Sequence, residues 1–263
     1  MSHAVLAAVG PNLKFCTSSD FDGTNDYVSR GAQLTGVADS KIGIFSAWFR
    51  IDSFGGNEYL LSHADTGATG SHFGVRLDPG GSAAVNIFAR NGANASICEL
   101  GSTFLGGSIT TGVWHHLILE WAMTRAPSSP VVGYLDDSAL IFTVTTATDD
   151  TIDYTKNNCF IGALANANFK FNGCLAEMYY APGQSLDLTV TANRRKFTAY
   201  GSLRPLFLGL DGSLPTGTQP IVYIPFLGSY ANATAVVNLG SGGNFTATAD
   251  AGGITAGSSN PSD

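Results

Sequence analysis

Charge is scarce in this chain. Asp, Glu, Lys and Arg make up 13% of its 263 residues, about half the share of an ordinary globular protein, and the balance leans acidic, with a formal net charge of -7. No run of Lys or Arg is longer than Arg194-Arg195-Lys196, so the counterion release that drives tight nucleic-acid binding has no source here, and nucleic acid is set aside as a partner. Apolar runs are short as well. None approaches the ~20 residues that span a bilayer, and the apolar start from Met1 to Gly10 lacks a basic leader and meets Pro11 early, which makes it a poor secretion signal. Glutamate is rarer still: Glu58, Glu99, Glu120 and Glu177 are the four in the chain, and none has an acidic partner two to four residues away. A glycosidase needs two carboxylates at a fixed separation, so a polysaccharide hydrolase becomes a distant alternative. The four cysteines, Cys16, Cys98, Cys159 and Cys174, form no Cys-x-x-Cys pair, which argues against zinc and thiol exchange. Free buried thiols are one reading; a bridge between Cys159 and Cys174 is the other. No Gly-x-Ser-x-Gly elbow occurs, and Gly240-Ser241-Gly242-Gly243 lacks the lysine and helix of a phosphate loop.

What is present is β material. Hydrophobic residues reach 44% and glycine numbers 32, and short β-branched or aromatic runs recur between Gly, Asn and Asp at the spacing of a sandwich. Ile42 to Ile51 alternates, with Ile44, Ser46, Trp48 and Arg50 on one side and the more apolar Phe45, Ala47, Phe49 and Ile51 on the other. Similar runs cover 59–61, 72–77, 84–89, 114–121, 131–135, 140–144, 158–163 and 173–180, enough for two facing sheets. One departure follows: Asp187 reads as an N-cap and Arg194, Arg195 and Lys196 as the basic end of a short helix over Leu188 to Tyr200, stopped by Gly201. From Leu203 onward Pro, Gly, Thr and Ala dominate. An apolar strand interrupts them at Ile221 to Phe226, and the tail from Gly252 to Asp263 reads as flexible or draped.

An ordered set of segments carries a resemblance. It begins with Phe21-Asp22-Gly23-Thr24-Asn25-Asp26-Tyr27-Val28. After it come Phe45-Ser46-Ala47-Trp48-Phe49-Arg50, Gly112-Val113-Trp114-His115-His116-Leu117, Gly133-Tyr134-Leu135-Asp136, Phe160-Ile161-Gly162-Ala163, and Phe171-Asn172-Gly173-Cys174-Leu175-Ala176-Glu177. Together they resemble the laminin-G-like, concanavalin A-like lectin-glucanase family. The fold this implies is all-β, a two-sheet antiparallel jelly-roll sandwich over residues 14–184, followed by a short helix and linker at 185–204 and a C-terminal β extension at 205–263. Relatives place a strand like Val222-Tyr223-Ile224-Pro225-Phe226 and a Gly- and Asn-rich loop like Asn238 to Thr246 before the Phe-Asp-Gly segment. Their position at the other end here predicts that the extension folds back to complete the sandwich, with a separate docking domain as the rival.

The resemblance also bears on function. The extension is similar to those attached to laminin-G-like domains in bacteriophage virion proteins, which implies a non-enzymatic structural and glycan-adhesive particle component: a capsid decoration, fibre or spike. Such a protein is assembled in the host cytoplasm and packed against copies of itself, for example as a trimer, against other virion proteins and against host-surface glycans. The alternative is a stand-alone, extracellular carbohydrate-binding module. Tyr27, Tyr59 and Tyr154, with Tyr200 and Tyr230, lie at predicted strand ends where a flat ring can stack on a sugar. No cofactor is required, and calcium is the one the acidic clusters admit: Asp149, Asp150 and Asp153 offer converging oxygens, as do Asp22, Asn25 and Asp26 in the opening hairpin. The pentraxin branch holds its calcium with an acidic trio after a strand like Phe160 to Leu164. The matching Ala165-Asn166-Ala167 has no carboxylate, and the branch's paired cysteines fall near Ala47 and Ile118. His115 and His116 are adjacent on a strand, point to opposite faces and read as structural.

Overall fold

The structure is a computed structural model that describes residues 17–68, 70–78, 85–103, 109–199 and 204–262. Cys16, Tyr200 and the expected helix stop at Gly201 lie outside the described residues. In chain order the strands are β1 (Ser19–Asp22), β2 (Tyr27–Arg30), β3 (Ile42–Ile51), β4 (Glu58–Ala64), β5 (Phe73–Leu77), β6 (Val85–Arg90), β7 (Ser96–Thr103), β8 (Trp114–Ala122), β9 (Val131–Leu135), β10 (Ser138–Ala139), β11 (Ile141–Ala147), β12 (Asn158–Ile161), β13 (Asn172–Pro182), β14 (Val222–Ile224), β15 (Ala235–Val236), β16 (Phe245–Thr248) and β17 (Thr255–Ala256). They make an eight-stranded sheet, β10-β9-β8-β3-β13-β1-β17 with β14 also on β13, and a nine-stranded sheet, β11-β7-β6-β5-β4-β12-β2-β16-β15. Both are antiparallel, and the fold is the all-β sandwich that the alternation predicts.

The period of two decides which side chains meet between the sheets. From β3, Phe45, Ala47, Phe49 and Ile51 enter the main core, where Leu117 and Leu119 of β8, Val75 of β5 and Ile87 of β6 meet them. Tight turns are set locally: the Asp22 carboxylate accepts from the backbone N–H of Thr24 (2.7 Å) and Asn25 (3.0 Å), while Gly23 adopts a φ of 71°. This is ordinary Asx-turn chemistry.

The C-terminal segment is woven into both sheets. β14 pairs with β13, β16 with β2 and β17 with β1. Ile224, Phe226, Phe245 and Ile254 are buried in the same core as β3, and the Phe226 ring meets Phe21 edge-on at 5.7 Å.

Between β13 and β14 the chain crosses the outer face of the eight-stranded sheet and adds a third layer. Leu188, Phe197 and Leu208 pack on Ile44, Ile118, Tyr179 and Ala181 and on Tyr223 of β14. Arg194 lies 4.0 Å over the Tyr134 ring, and Arg194 and Arg195 both pair with Asp137, at 2.7 and 2.5 Å. The basic run is therefore spent within the fold. The helix is shorter than expected, a single turn at Thr191–Arg194 without a side-chain cap. Asp187 turns the chain before it instead, its Oδ1 accepting from the backbone N–H and hydroxyl of Thr189 at 2.9 and 2.6 Å. Neighbouring β-branched Thr189, Val190 and Thr191 disfavour further helix. The tail is pinned on the same face, because Arg50 Nη1 and Trp114 Nε1 both donate to Ser259 Oγ, at 2.8 and 3.0 Å.

Cys98, Cys159 and Cys174 are buried free thiols. Cys159 and Cys174 lie in opposite sheets, so the alternative of a bridge between them is corrected: they are not strand neighbours. Among the described residues, no helix is long and apolar enough to cross a membrane.

Candidate functional site

A sandwich has two outer faces, and here one of them is occupied. The layer at 184–199 and 204–221 and the tail cover the eight-stranded sheet. The nine-stranded sheet is covered near β12 and β2, where Ala163 and Ala165 sit on Ala64 and Phe160. Over β5 to β7, beside Tyr59 at the start of β4, its outer face is open among the described residues, and it holds a concavity of about 210 Å3.

Strand register fixes what lines that concavity. The inward residues of β5 and β6 are Phe73, Val75, Leu77, Val85, Ile87 and Ala89, so Gly74, Arg76, Asn86, Phe88 and Arg90 must point outward. Cross-strand pairing orders them in rows: Tyr59 beside Arg76 beside Asn86, then Ser62 beside Gly74 beside Phe88 beside Glu99. Gly74 has a definite purpose. A Cβ there would collide with the Phe88 ring, so the missing side chain lets that ring lie across β5 as a platform. Tyr59, 5% exposed, meets Phe88 edge-on at 6.0 Å and Phe169 at 6.2 Å. Phe169, 52% exposed on the loop before β13, extends the aromatic wall outward.

The polar lining is sparse. Arg76 and Arg90 flank the platform, Glu99 and Asn86 lie along it, and Ser71 closes one end. Arg90 Nη1 donates to Asn94 O at 2.9 Å. His72 is bonded to Arg90 through its backbone carbonyl; burial, then the neighbouring Lys156 and Arg90 charges, pushes its imidazole below its ordinary range. Among the lining residues Glu99 is the one carboxylate, so the groove lacks the pair that glycoside hydrolysis requires.

The residues proposed from the sequence are dispersed. Tyr59 is in the groove wall. Tyr27 is on the same face but over β12, tilted against Phe160 at 5.5 Å. Tyr154 is a correction: it is fully buried, and its hydroxyl accepts from Trp121 Nε1 at 2.7 Å, so its ring cannot meet a sugar. Its loop is pulled inward because the Trp121 N–H needs a partner in the core. Tyr230 is part-buried and its hydroxyl accepts from Leu227 N at 3.1 Å.

The acidic trio does not assemble. Asp149 pairs with Lys41 at 2.8 Å. Asp150 accepts from Asn91 Nδ2 at 2.8 Å, and that bond with a backbone N–H holds its carboxyl low. Asp153, 5% exposed, pairs with Lys156 at 2.5 Å. Each carboxylate is held by a separate partner, and among the described residues no group of three or more His, Cys, Asp or Glu is placed to hold a metal. Asp22 is spent on its turn, and burial pushes the neighbouring Asp26 up to about 6. His115 is held between Asp136 (2.6 Å) and Thr110 (3.0 Å), and His116 between Ser46 (2.8 Å) and a stacked Trp48, so both are structural.

Sequence reasoning missed Phe88, Arg76 and Arg90. The signal was present in Val85-Asn86-Ile87-Phe88-Ala89-Arg90, where strict alternation leaves one aromatic on the polar side.

Comparison with known proteins agrees with this architecture. A putative carbohydrate binding protein from Bacteroides ovatus superposes with a TM-score of 0.58 at 15% identity, over 93% of this chain and 60% of that one. A heptameric SAP-like pentraxin from Limulus polyphemus gives 0.48 at 12% identity, over 65% and 77% of the two chains. Domains LG4-5 of mouse laminin alpha1 give 0.43 at 20% identity, over 66% and 43%. The Bacteroides likeness reaches across the C-terminal segment as well as the first half, and at that identity it concerns the fold. No curated protein matches. Residues 22–180, more than half of the chain, match the family described as Concanavalin A-like lectin/glucanases superfamily, Laminin_G_3, and the chain belongs to that family.

Proposed function

We propose that the protein is a non-catalytic carbohydrate-binding module whose site is the open face of the nine-stranded sheet. The observation that carries this reading is the Phe88 platform, an aromatic ring laid over Gly74 and met edge-on by Tyr59. The apolar face of a pyranose stacks on such a ring, while guanidinium, amide and carboxylate groups around it meet the hydroxyls. At about 210 Å3 the concavity is smaller than the ~300–1,000 Å3 of pockets that enclose drug-sized ligands. It suits one sugar ring with the rest of the glycan in solvent. Membership of a lectin and glucanase family, and the fold shared with a putative carbohydrate binding protein, support the same reading, and the single lining carboxylate supports binding without hydrolysis.

The test is a glycan array followed by calorimetry on the hits, with Phe88→Ala as the probe. Phe88 is a half-buried outer-face residue whose loss leaves the core intact. A tenfold or greater loss of affinity with an unchanged melting curve is expected. Equal affinity in the variant would place the site elsewhere.

A second reading, a component of a larger particle, is favoured by one separate observation. β11 is an uncharged edge strand with Ile141 about half exposed, and among the described residues no strand pairs with its free side. The phage-particle role implied by the C-terminal resemblance rests on that reading.

A further inference from the structure

We propose that the groove selects anionic sugars, with Arg76 holding the acidic group of the ring seated on Phe88. This rests on the carbohydrate-binding reading above and names its ligand class.

The chain carries a net -7, and several of its cations are matched by acids: Arg50 pairs with Asp52, Arg125 with Glu120, Arg194 and Arg195 with Asp137, and Lys156 with Asp153. Among the described residues, no carboxylate lies within ion-pair distance of Arg76 or Arg90. These two guanidinium groups share one concavity. An un-neutralised, partly desolvated cation is unfavourable in a folded protein unless something else compensates it, and here it is kept in an otherwise acidic molecule.

The two arginines differ. Arg90 is braced by its bond to Asn94 O. Arg76 Nε is buried without a hydrogen-bond partner, and so is the hydroxyl of Ser71, which is 5% exposed and lines the same concavity. Arg76 stands two residues beyond Gly74 on β5, in the row of Tyr59 and Asn86, and Arg90 stands two residues beyond Phe88 on β6. They bracket the ring, roughly 13 Å apart along the strands at ~3.4 Å per residue. A pyranose stacked on Phe88 therefore presents substituents at its rim toward both groups. Arg76 is the one with unspent hydrogen-bonding capacity, and a planar guanidinium fork matches a carboxylate in two parallel bonds. Glu99, an acceptor only, sits next to Phe88 on β7. It takes a sugar hydroxyl and repels a second anion, which fixes the acidic substituent at the Arg76 end.

The same chemistry arises from a uronic-acid carboxylate or from a sugar sulfate, so the experiment uses matched arms. The whole chain is screened on an array of carboxylated, methyl-esterified, sulfated and neutral glycans, and hits are titrated at low and high salt with wild type, Arg76→Gln and Arg76→Lys. The expected result is that acids bind at least tenfold tighter than their methyl esters. Arg76→Gln then abolishes that discrimination, bringing the acid down to the affinity of its ester, and Arg76→Lys retains part of it. Hits confined to sulfated glycans and lost in Arg76→Gln also support the anionic inference and identify sulfate as the group. Acid and ester binding equally, with both lost in Phe88→Ala, would overturn the anionic inference and leave the carbohydrate reading standing. No hit on any arm would overturn both.

Discussion

Glu58 shows how one residue in this fold ties stability to pH. It is 1% exposed, and its carboxyl accepts only two long bonds, from Gly55 N and Asn172 N at 3.3 Å each. Among the described residues no cation pairs with it. Burial pushes its pKa from 4.5 up to about 7, with the two bonds pulling the other way. The folded protein therefore keeps a proton that the unfolded chain releases between about 4.5 and about 7, so stability falls as pH rises through that window. Asp26, pushed up to about 6 by burial, acts in the same direction. A melting temperature lower at pH 8 than at pH 5.5 is expected, with a smaller drop in Glu58→Gln. An equal drop in the variant would mean that the proton is held elsewhere. Residue-scale reading of the sequence was uneven for a physical reason. The alternation in β3 placed Phe45 and Phe49 inside, because a strand with one buried face has a period that can be read off. Tyr154 sits in no such period, so nothing local says that its hydroxyl is drawn in to meet Trp121.

Elements combine in a way that makes the C-terminal segment a structural part of the sandwich. β14 lies along β13 on the side shared with β1, and β16 extends the nine-stranded sheet past β2. Val222, Ile224, Phe226, Val236, Phe245 and Ile254 are all fully or almost fully buried in the main core. At roughly 1.5–3 kcal/mol for each such side chain, their removal costs about as much as the ~5–15 kcal/mol that holds a whole domain together. A chain ending at Thr216 should therefore lose its cooperative melting transition, measured by circular dichroism. A sharp transition at the full-length temperature would show that the first half folds alone. The strand at 221–226 was legible from its apolar run and from the reversed order of segments. The layer over the eight-stranded sheet was not, since Leu188, Phe197 and Leu208 are spaced by turns with no regular period. That layer matters for the site: by closing one outer face it leaves, among the described residues, the groove over β5 to β7 as the open one.

At the scale of the whole molecule, the sheet edges decide how copies meet. Of the terminal strands, β10, β17 and β15 are two residues long and β14, which pairs only with β13, is three, which blunts them as templates for another chain. The remaining one, β11, is seven residues of Ile, Phe, Thr, Val and Ala without a charge or a proline, the kind of edge that accepts another strand. Pairing with its own copy across a two-fold axis is the simplest closed solution, and it would join two nine-stranded sheets while leaving both grooves open. Light scattering behind a sizing column should then give about twice the chain mass of 27.3 kDa. Thr143→Lys, on the exposed side of β11, would face its own charge across the axis and should return the protein to a monomer with an unchanged melting curve. A trimer that ignores Thr143→Lys would move the contact to another surface and favour the exposed Leu210, Leu214 and Leu227 of the C-terminal segment. A monomer at every concentration would remove self-assembly through this edge and leave the protein acting through its groove alone.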